Sequence, residues 1–530
     1  MTRPAAATRA LPVLLCAAPL VARLLLPNVA PNDGFYGHAA FMLSRGATPY
    51  RDFTQVAFPL AEGALALAIR IFGHDLRTIE LANALMIGAV ALALHRAGRA
   101  LASPRAGVVA AIAWCWSLWV VHFNLFERET WAALGVALAF GAYARGFGAA
   151  PLTDSTADRR TASRAATAVA AGLLLAVLVK LTALFAAAGL ALHLVVTGRA
   201  RAARALTARL AVLLLLATLL GWALWGQDFL VQVWLFGFFR SATGLAPTEK
   251  LVQLVHWADP LTMLGLAALL AVGLPNLRRA AGAPALVLLC QLGYALLLSP
   301  TLWEHNLIEL APACALLLGA TAAQWPRGRL AIAAATGALV VVIATLGRPW
   351  LAGDYGPWGA GFGGWPRDAI TRRGEFLERH SGPDELVVTS NPWWSLQAGR
   401  VEAVRYFELQ PVVDGLEASL QADGLLATLA KRTGPLLLGP GFPPADPRAA
   451  SRTPFVGRLV ANALAYTRPA LLDVLSRHEI ALLLEPLPLK VLLPADLQAA
   501  GYERFEDLEL GLAAWRPRAA GTPFPPAAPR

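Results

Sequence analysis

The sequence predicts a mainly α protein, a polytopic transmembrane helical bundle of about 11 spans with a small C-terminal extracytoplasmic α/β domain. Three observations predict it. Only 15% of the 530 residues are charged and 57% are hydrophobic, whereas soluble proteins carry about 25% charged residues. Mean hydropathy is +0.54. Long apolar runs alternate with short arginine clusters as far as residue 347, and the composition then changes.

The net charge of +11 would point to nucleic acid in a soluble chain. Here most of the excess arginine lies in short loops between apolar runs, where it orients spans and meets anionic headgroups. No basic surface interleaved with aromatics accompanies it, so nucleic acid is excluded as a partner. The four cysteines (Cys16, Cys115, Cys290 and Cys314) fall inside apolar runs, which gives neither a disulfide framework nor a metal site. Residues 10–29, flanked by Arg3 and Arg9, have the outline of a signal peptide. Arg23 interrupts the run and Pro31 stands where a small-residue cleavage site belongs, so the segment reads as a retained first span.

The further spans are expected near 78–95, 106–123, 129–146, 166–180, 182–197, 208–225, 259–275, 283–299, 306–323 and 330–347. With these limits Arg96 to Arg105, Arg145 to Arg164, Arg199 to Arg209, Arg278 to Arg279 and Arg327 to Arg329 share one side, the cytoplasm by the positive-inside rule. The N-terminus is then cytoplasmic and everything after residue 348 periplasmic, in a bacterial inner membrane. Residues 59–72 must lie along the outer surface, because fourteen helical residues reach only about 21 Å against a core of about 30 Å. Run 166–197 must be two short spans with Lys180 near the outer tip. Trp114, Trp116 and Trp119 fit an outer aromatic belt.

Acidic residues gather on that outer side: Asp33, Asp52, Glu62, Asp75, Glu80, Glu127, Glu129, Asp228, Glu249, Asp259, Glu304 and Glu309. Ionisable groups near a membrane are costly, so such a cluster points to an aqueous cavity there. The first outer loop is the densest, with Asp33 also placed to cap the short helix after it. Asp52 follows in the turn Gly46-Ala47-Thr48-Pro49-Tyr50-Arg51-Asp52-Phe53, then Phe58-Pro59-Leu60. Phe126-Glu127-Arg128-Glu129 opens the fourth span and Glu304-His305-Asn306 a later one. His305 has the chemistry of a metal ligand, phosphate donor or proton carrier.

The ordered set resembles the GT-C superfamily of polyprenyl-phosphate-dependent glycosyltransferases, in particular its family 39-like bacterial branch. Lipid A aminoarabinose transferases and protein O-mannosyltransferases are the better-known relatives of that branch. Asp33 matches the acid after span one, 46–53 the turn, 58–60 a degenerate Pro-Pro-Leu element, Gly172 to Thr182 the Gly-Leu-to-Lys-Thr stretch, and Glu304 to Leu307 with Pro312 the late-span signature. The chain departs from the branch at Gly34, where a second acid is common, and at Ala57 and Phe58, where a lysine is common.

The resemblance implies an inverting single displacement by which a sugar leaves a polyprenyl-phosphate donor for a lipid, glycan or protein acceptor of the cell envelope. Such a step needs a base for the acceptor hydroxyl and positive charge or a metal for the leaving phosphate. Asp33 is the implied base. Glu127, Glu129, His305 and Asp52 would orient the acceptor or a divalent metal cation, the one cofactor this chemistry admits. Arg51, Lys180, Arg128 and Arg240 are the candidate phosphate ligands. The competing reading is a lipid-linked sugar flippase or transporter, disfavoured by the absence of an evident repeat; a scaffold is third.

The domains are expected at 1–347 for the membrane module, with interfacial helices in 31–73, then a 348–366 linker, a 367–518 α/β domain and a disordered 519–530 tail. In the α/β domain a helix is predicted at 368–381 and strands at 385–389, 480–484 and 510–515. Trp393 and Trp394 suit sugar stacking or loop packing.

Overall fold

The computed structural model describes residues 6–24, 28–29, 34–117, 119–120, 126–147, 156–235, 246–272, 281–299, 302, 306–324, 365–389, 391–402, 468–485 and 494–518. The expected span 330–347 lies outside them. Among the described residues the first part of the chain is mainly helical: α1 (Ala6–Leu24), α2 (Gly34–Ser44), α3 (Leu60–Phe72), α4 (Leu76–Leu101), α5 (Pro104–Cys115), α6 (Arg128–Phe147) and α7 (Thr156–Val179). It continues with α8 (Leu184–Val196), α9 (Ala200–Phe229), α10 (Pro247–Trp257), α11 (Pro260–Val272), α12 (Gly282–Gly293) and α13 (Leu307–Gln324).

Three described helices are long and apolar enough to cross a bilayer alone, Leu76–Leu101, Arg160–Val179 and Ala200–Leu235, and shorter apolar helices pack beside them. Side-chain contacts sort their ends onto two levels. At one level Arg199 donates to the Phe147 carbonyl and Arg209 to Ser163, joining the end of α6, the start of α7 and the start of α9. At the other, Lys180 meets Glu129 at the start of α6 and Glu309 at the start of α13. Residues 156–196 therefore form a helical hairpin. Its break falls at Lys180, which is extended (φ −150°, ψ 117°), as the charge alternation required.

Small residues let the backbones close at helix crossings, the usual device where lipid offers no hydrophobic drive. A Cβ on Gly135 of α6 would stand 2.5 Å from the backbone nitrogen of Ala176 in α7, and one on Gly172 of α7 would stand 2.8 Å from that of Ala139. Helix α3 spans 13 residues, about 20 Å, too short to cross. It buries Ala61, Glu62, Leu65, Ala66 and Ile69 and exposes Leu67, Ile71 and Phe72 on the other side, as an interfacial helix does.

The expected tryptophan belt is corrected by burial. Trp114 and Trp119 lie inside the helix packing, donating to the carbonyls of Ile87 at 3.1 Å and Trp257 at 2.8 Å. Only Trp116 stays exposed. A buried indole N–H needs an acceptor, and each of these rings finds a backbone carbonyl on a neighbouring helix.

The C-terminal part holds α14 (Arg367–His380), β3 (Leu386–Val388), α15 (Pro392–Gln397), β4 (Val401–Glu402), α16 (Arg468–Ser476), β5 (Ile480–Leu484), α17 (Pro494–Ala499), β6 (Tyr502–Asp507) and β7 (Leu512–Pro517). The sheet runs β4-β3-β5-β7-β6, with β4, β3 and β5 parallel and β7 antiparallel to both neighbours. Strands β3, β5 and β7 lie where the apolar patterning puts them. Edge strand β6 escaped that pattern because its sequence, Tyr-Glu-Arg-Phe-Glu-Asp, alternates toward solvent and pairs charge across the hairpin, Glu503 to Arg516 at 3.1 Å.

This sheet unit is fused to the acid-bearing end of the bundle. β1 (Asn28–Val29) pairs antiparallel with β2 (Trp365–Pro366). Trp393 lies over Gly37, where any Cβ would come within 2.4 Å of the indole ring. A single apolar core joins Ala40 and Phe41 of α2, Leu65 of α3 and Ile79 of α4 to Ile370, Trp393 and Trp394. Arg367 pairs with the buried Glu80, and Arg45 with Asp384 at 2.8 Å. Helix α2 is thus buried between the bundle and the sheet unit.

Candidate functional site

At the acid-bearing end, α3, α6, the α7–α8 break and α13 bring four carboxylates and two cations together below the bundle surface. Glu62 is fully buried on α3 because its neighbours Ala61 and Leu65 turn that face inward. Arg128 Nε donates to Glu62 Oε1 at 2.5 Å, and its guanidinium lies over the Tyr36 ring at 4.0 Å. Glu62 Oε2 and Arg128 Nη2 are buried without hydrogen-bond partners among the described residues. Glu127, one residue before α6, is buried beside them.

Lys180 forms the second half of the cluster. The helical break leaves its side chain between Glu129, which it contacts, and Glu309, at 2.7 Å. Thr182, in the 3₁₀ turn after the break, donates to Glu309 Oε2 at 2.6 Å, and Gln291 donates to the Glu309 carbonyl at 3.0 Å.

The structure therefore brings together Glu127, Glu129, Arg128 and Lys180 of the predicted site residues. It adds Glu62 and Glu309, which the sequence marked only as outer acids. Arg51 and Asp52 lie apart in the loop between α2 and α3, paired with each other at 2.9 Å, with the arginine side chain 70% exposed. Asp52 also accepts from the Thr48 N–H at 2.7 Å, closing the turn. Asp33, Arg240 and His305, like Glu304, lie outside the described residues. Among the described residues no three His, Cys, Asp or Glu side chains converge as a metal site, and three of the cluster's carboxylates are engaged by Arg128 and Lys180.

A cleft of about 450 Å³ opens along α3, lined by Leu43, Pro49, Pro59, Gly63, Ala66, Leu67, Arg70 and Trp225. Its walls are mostly apolar, and α3 forms its floor. Arg70 is held in place by the Ser44 carbonyl at 2.9 Å.

Trp393 and Trp394 are fully buried, so they pack and do not present a stacking face. Next to them, Glu402 and His38 titrate across the junction between α2 and the sheet unit. Glu402 accepts from the Thr389 N–H at 2.5 Å, and its own N–H donates to His38 Nε2 at 3.2 Å. Burial, the largest influence, pushes the Glu402 carboxyl from 4.5 up to about 8, against hydrogen bonds from Ser395 and Thr389. Burial likewise pulls His38 from 6.5 down to about 4, against the Arg400 carbonyl.

A group raised on folding favours the folded state below its unfolded value and loses that contribution as pH rises through its folded value. Glu402 thus weakens the folded state from about 4.5 to about 8. His38, lowered on folding, weakens it as pH falls from about 6.5 to about 4. The two cancel between 4.5 and 6.5, and above 6.5 Glu402 acts alone. The fold around 386–402 is expected to lose about 1.4 kcal/mol of stability per pH unit from there to about 8. Amide hydrogen exchange over 386–402 across that range, beside Glu402→Gln, checks it; equal protection at both ends would count against a buried neutral Glu402.

The bundle, the short helix α3 and the mixed sheet on one end define the class. The chain has the fold of the GT-C membrane glycosyltransferases, and it is a multi-pass membrane protein. The chain superimposes on ArnT from Cupriavidus metallidurans in the apo state with a TM-score of 0.50 and 17% identity, covering 89% of this chain and 80% of that one. ArnT bound to undecaprenyl phosphate gives 0.48 and 15%, over 90% of this chain and 81% of that one. The Archaeoglobus fulgidus oligosaccharyltransferase in its apo form gives 0.45 and 13%, over 81% and 69%. No protein-family model matches the sequence, and no curated protein matches it significantly.

Proposed function

We propose that the protein is a glycosyltransferase that moves a sugar from a polyprenyl-phosphate donor to a glycolipid, glycan or protein of the cell envelope, at the acid-bearing and extracytoplasmic end of the bundle. The observation that carries this reading is the buried cluster of Arg128 and Lys180 with four glutamates, together with an apolar cleft along α3, in a GT-C fold. A lipid chain needs an apolar path from the bilayer, and its phosphate needs fixed positive charge at the end of that path. The cleft along α3 has the first property, and Lys180 at the helical break supplies the second. ArnT, whose fold the chain shares, is known with undecaprenyl phosphate bound.

In this reading Glu129 and Glu309 keep Lys180 protonated and aimed, so that it neutralises the phosphate as the anomeric bond breaks. Arg128 is committed to Glu62 and serves to fix α3 against α6. Arg51 and Arg240 are then auxiliary headgroup contacts. Asp33 accepts the proton of the acceptor hydroxyl in a single inverting displacement.

The test supplies radiolabelled undecaprenyl-phosphate sugars and envelope glycolipid acceptors to the protein in nanodiscs, wild type beside Asp33→Asn. Loss of the general base is expected to slow transfer roughly 10²–10⁴-fold with folding unchanged. Transfer near the wild-type rate in the variant would remove Asp33 from its role. Labelled lipid crossing the bilayer equally with both proteins, with no transfer, would replace the enzyme by a flippase.

A further inference from the structure

We infer that Gln55, on the strained loop before α3, reads a hydroxyl of the sugar carried by the lipid donor; this rests on the transferase reading above. Gln55 is fully buried, yet neither its side-chain Nε2 nor its Oε1 has a hydrogen-bond partner among the described residues. An enclosed primary amide carries two donor hydrogens and two acceptor lone pairs, and leaving all of them unmade is among the costlier things a fold can do.

The surroundings show that the amide is placed and not slack. Gln232, on the π-helical turn Leu230–Leu235, accepts from the Gln55 N–H at 3.0 Å and donates to the Tyr50 carbonyl at 2.8 Å. Tyr50 closes the same loop by donating to the Ala57 carbonyl at 2.7 Å. It does so at φ +69°, in the left-handed region that a bulky residue rarely enters. Such strain persists where the surrounding structure holds it, and π-helical turns gather at functional sites as well. Trp234, two residues beyond Gln232 on that turn, has a buried Nε1–H without an acceptor among the described residues. Its ring contacts Phe58 edge-on at 6.5 Å between centroids.

A rigid loop and a π-helical turn thus present an unmade amide and an unmade indole N–H within a few residues of Pro49 and Pro59, which line the apolar cleft. A sugar hydroxyl donates and accepts at once, so a vicinal pair satisfies both ends of an amide where a hydrocarbon chain satisfies neither. A bare lipid phosphate would leave Gln55 as unpaired as it is now.

The discriminating variant is Gln55→Met, which keeps the volume and removes the polar atoms. Wild type and variant in nanodiscs are titrated with undecaprenyl phosphate alone and with undecaprenyl phosphoglucose, phosphomannose and phosphoarabinose, and their Tm is read without lipid. The expected result has three parts. At least one sugar tightens wild-type binding about tenfold over bare undecaprenyl phosphate. Gln55→Met binds the bare lipid as wild type does but loses the gain from the sugar. Its Tm without lipid is equal to or above wild type, because an unpaired amide has gone.

A lower Tm would make Gln55 a structural hydrogen-bonder and overturn the inference. Retention of the sugar-dependent gain in Gln55→Met, or no gain from any sugar in wild type, would overturn it too. Failure of both proteins to bind undecaprenyl phosphate at all would remove the transferase reading and this inference with it.

Discussion

Arg128→Leu is expected to cost about 3–5 kcal/mol of stability, because it removes one partner of a buried ion pair. The Glu62 side chain is 0% exposed and that of Arg128 4%, so the remaining carboxylate cannot recover its hydration by turning outward. The penalty is the desolvated charge left behind and not the worth of the pair itself. Replacing both ends should therefore restore most of the loss, and Glu62→Leu with Arg128→Leu is expected to be close to wild type. An unfolding titration in mixed micelles of the two single variants and the double variant measures the coupling. A double variant as unstable as Arg128→Leu alone would place the energy in the guanidinium's stacking on Tyr36, which the double variant also lacks.

The same pair shows what a sequence can and cannot say about this site. Span limits followed from apolar runs and the sorting of arginines, which is why the break at Lys180 and the short α3 could be placed. Both depend on the physics of the bilayer, and that physics acts on local composition. The pairing of Glu62 with Arg128 and of Glu309 with Lys180 depends on which helices stand side by side, and 66 and 129 residues separate the partners. Glu62 sits in a Leu-Ala-Glu-Gly stretch that reads as the opening turn of a helix, where an acid needs no further explanation. Only burial against α6 reveals it as a partner. The sheet unit was legible where strands are apolar, at β5 and β7, but its fusion to α2 was not. That contact runs through Gly37 and Trp393, and a glycine in a helix and a tryptophan after a strand carry no mark of each other. Gln55 was passed over for a similar reason: a glutamine in an outer loop reads as solvated until the loop is seen to be closed.

Lys180→Met is expected to lower both stability and activity. Lys180 pairs with both Glu129 and Glu309, and its loss acts in two ways that can be separated. Two buried carboxylates that lose this shared partner destabilise the α6, α7 and α13 contact. The leaving phosphate also loses a fixed charge, which at comparable sites lowers turnover roughly 10²–10³-fold. Adding Glu129→Gln removes one of the uncompensated carboxylates and should return most of the stability. If Lys180 only holds the helices, transfer returns with the fold in Lys180→Met/Glu129→Gln. If it also neutralises phosphate, the double variant is stable and still slow, and the deficit lies in turnover more than in donor binding, because the charge on the leaving oxygen grows only as the bond breaks. Recovery of transfer in parallel with stability would reduce Lys180 to a bundle clasp and shift the search for the phosphate ligand to Arg51 and Arg240.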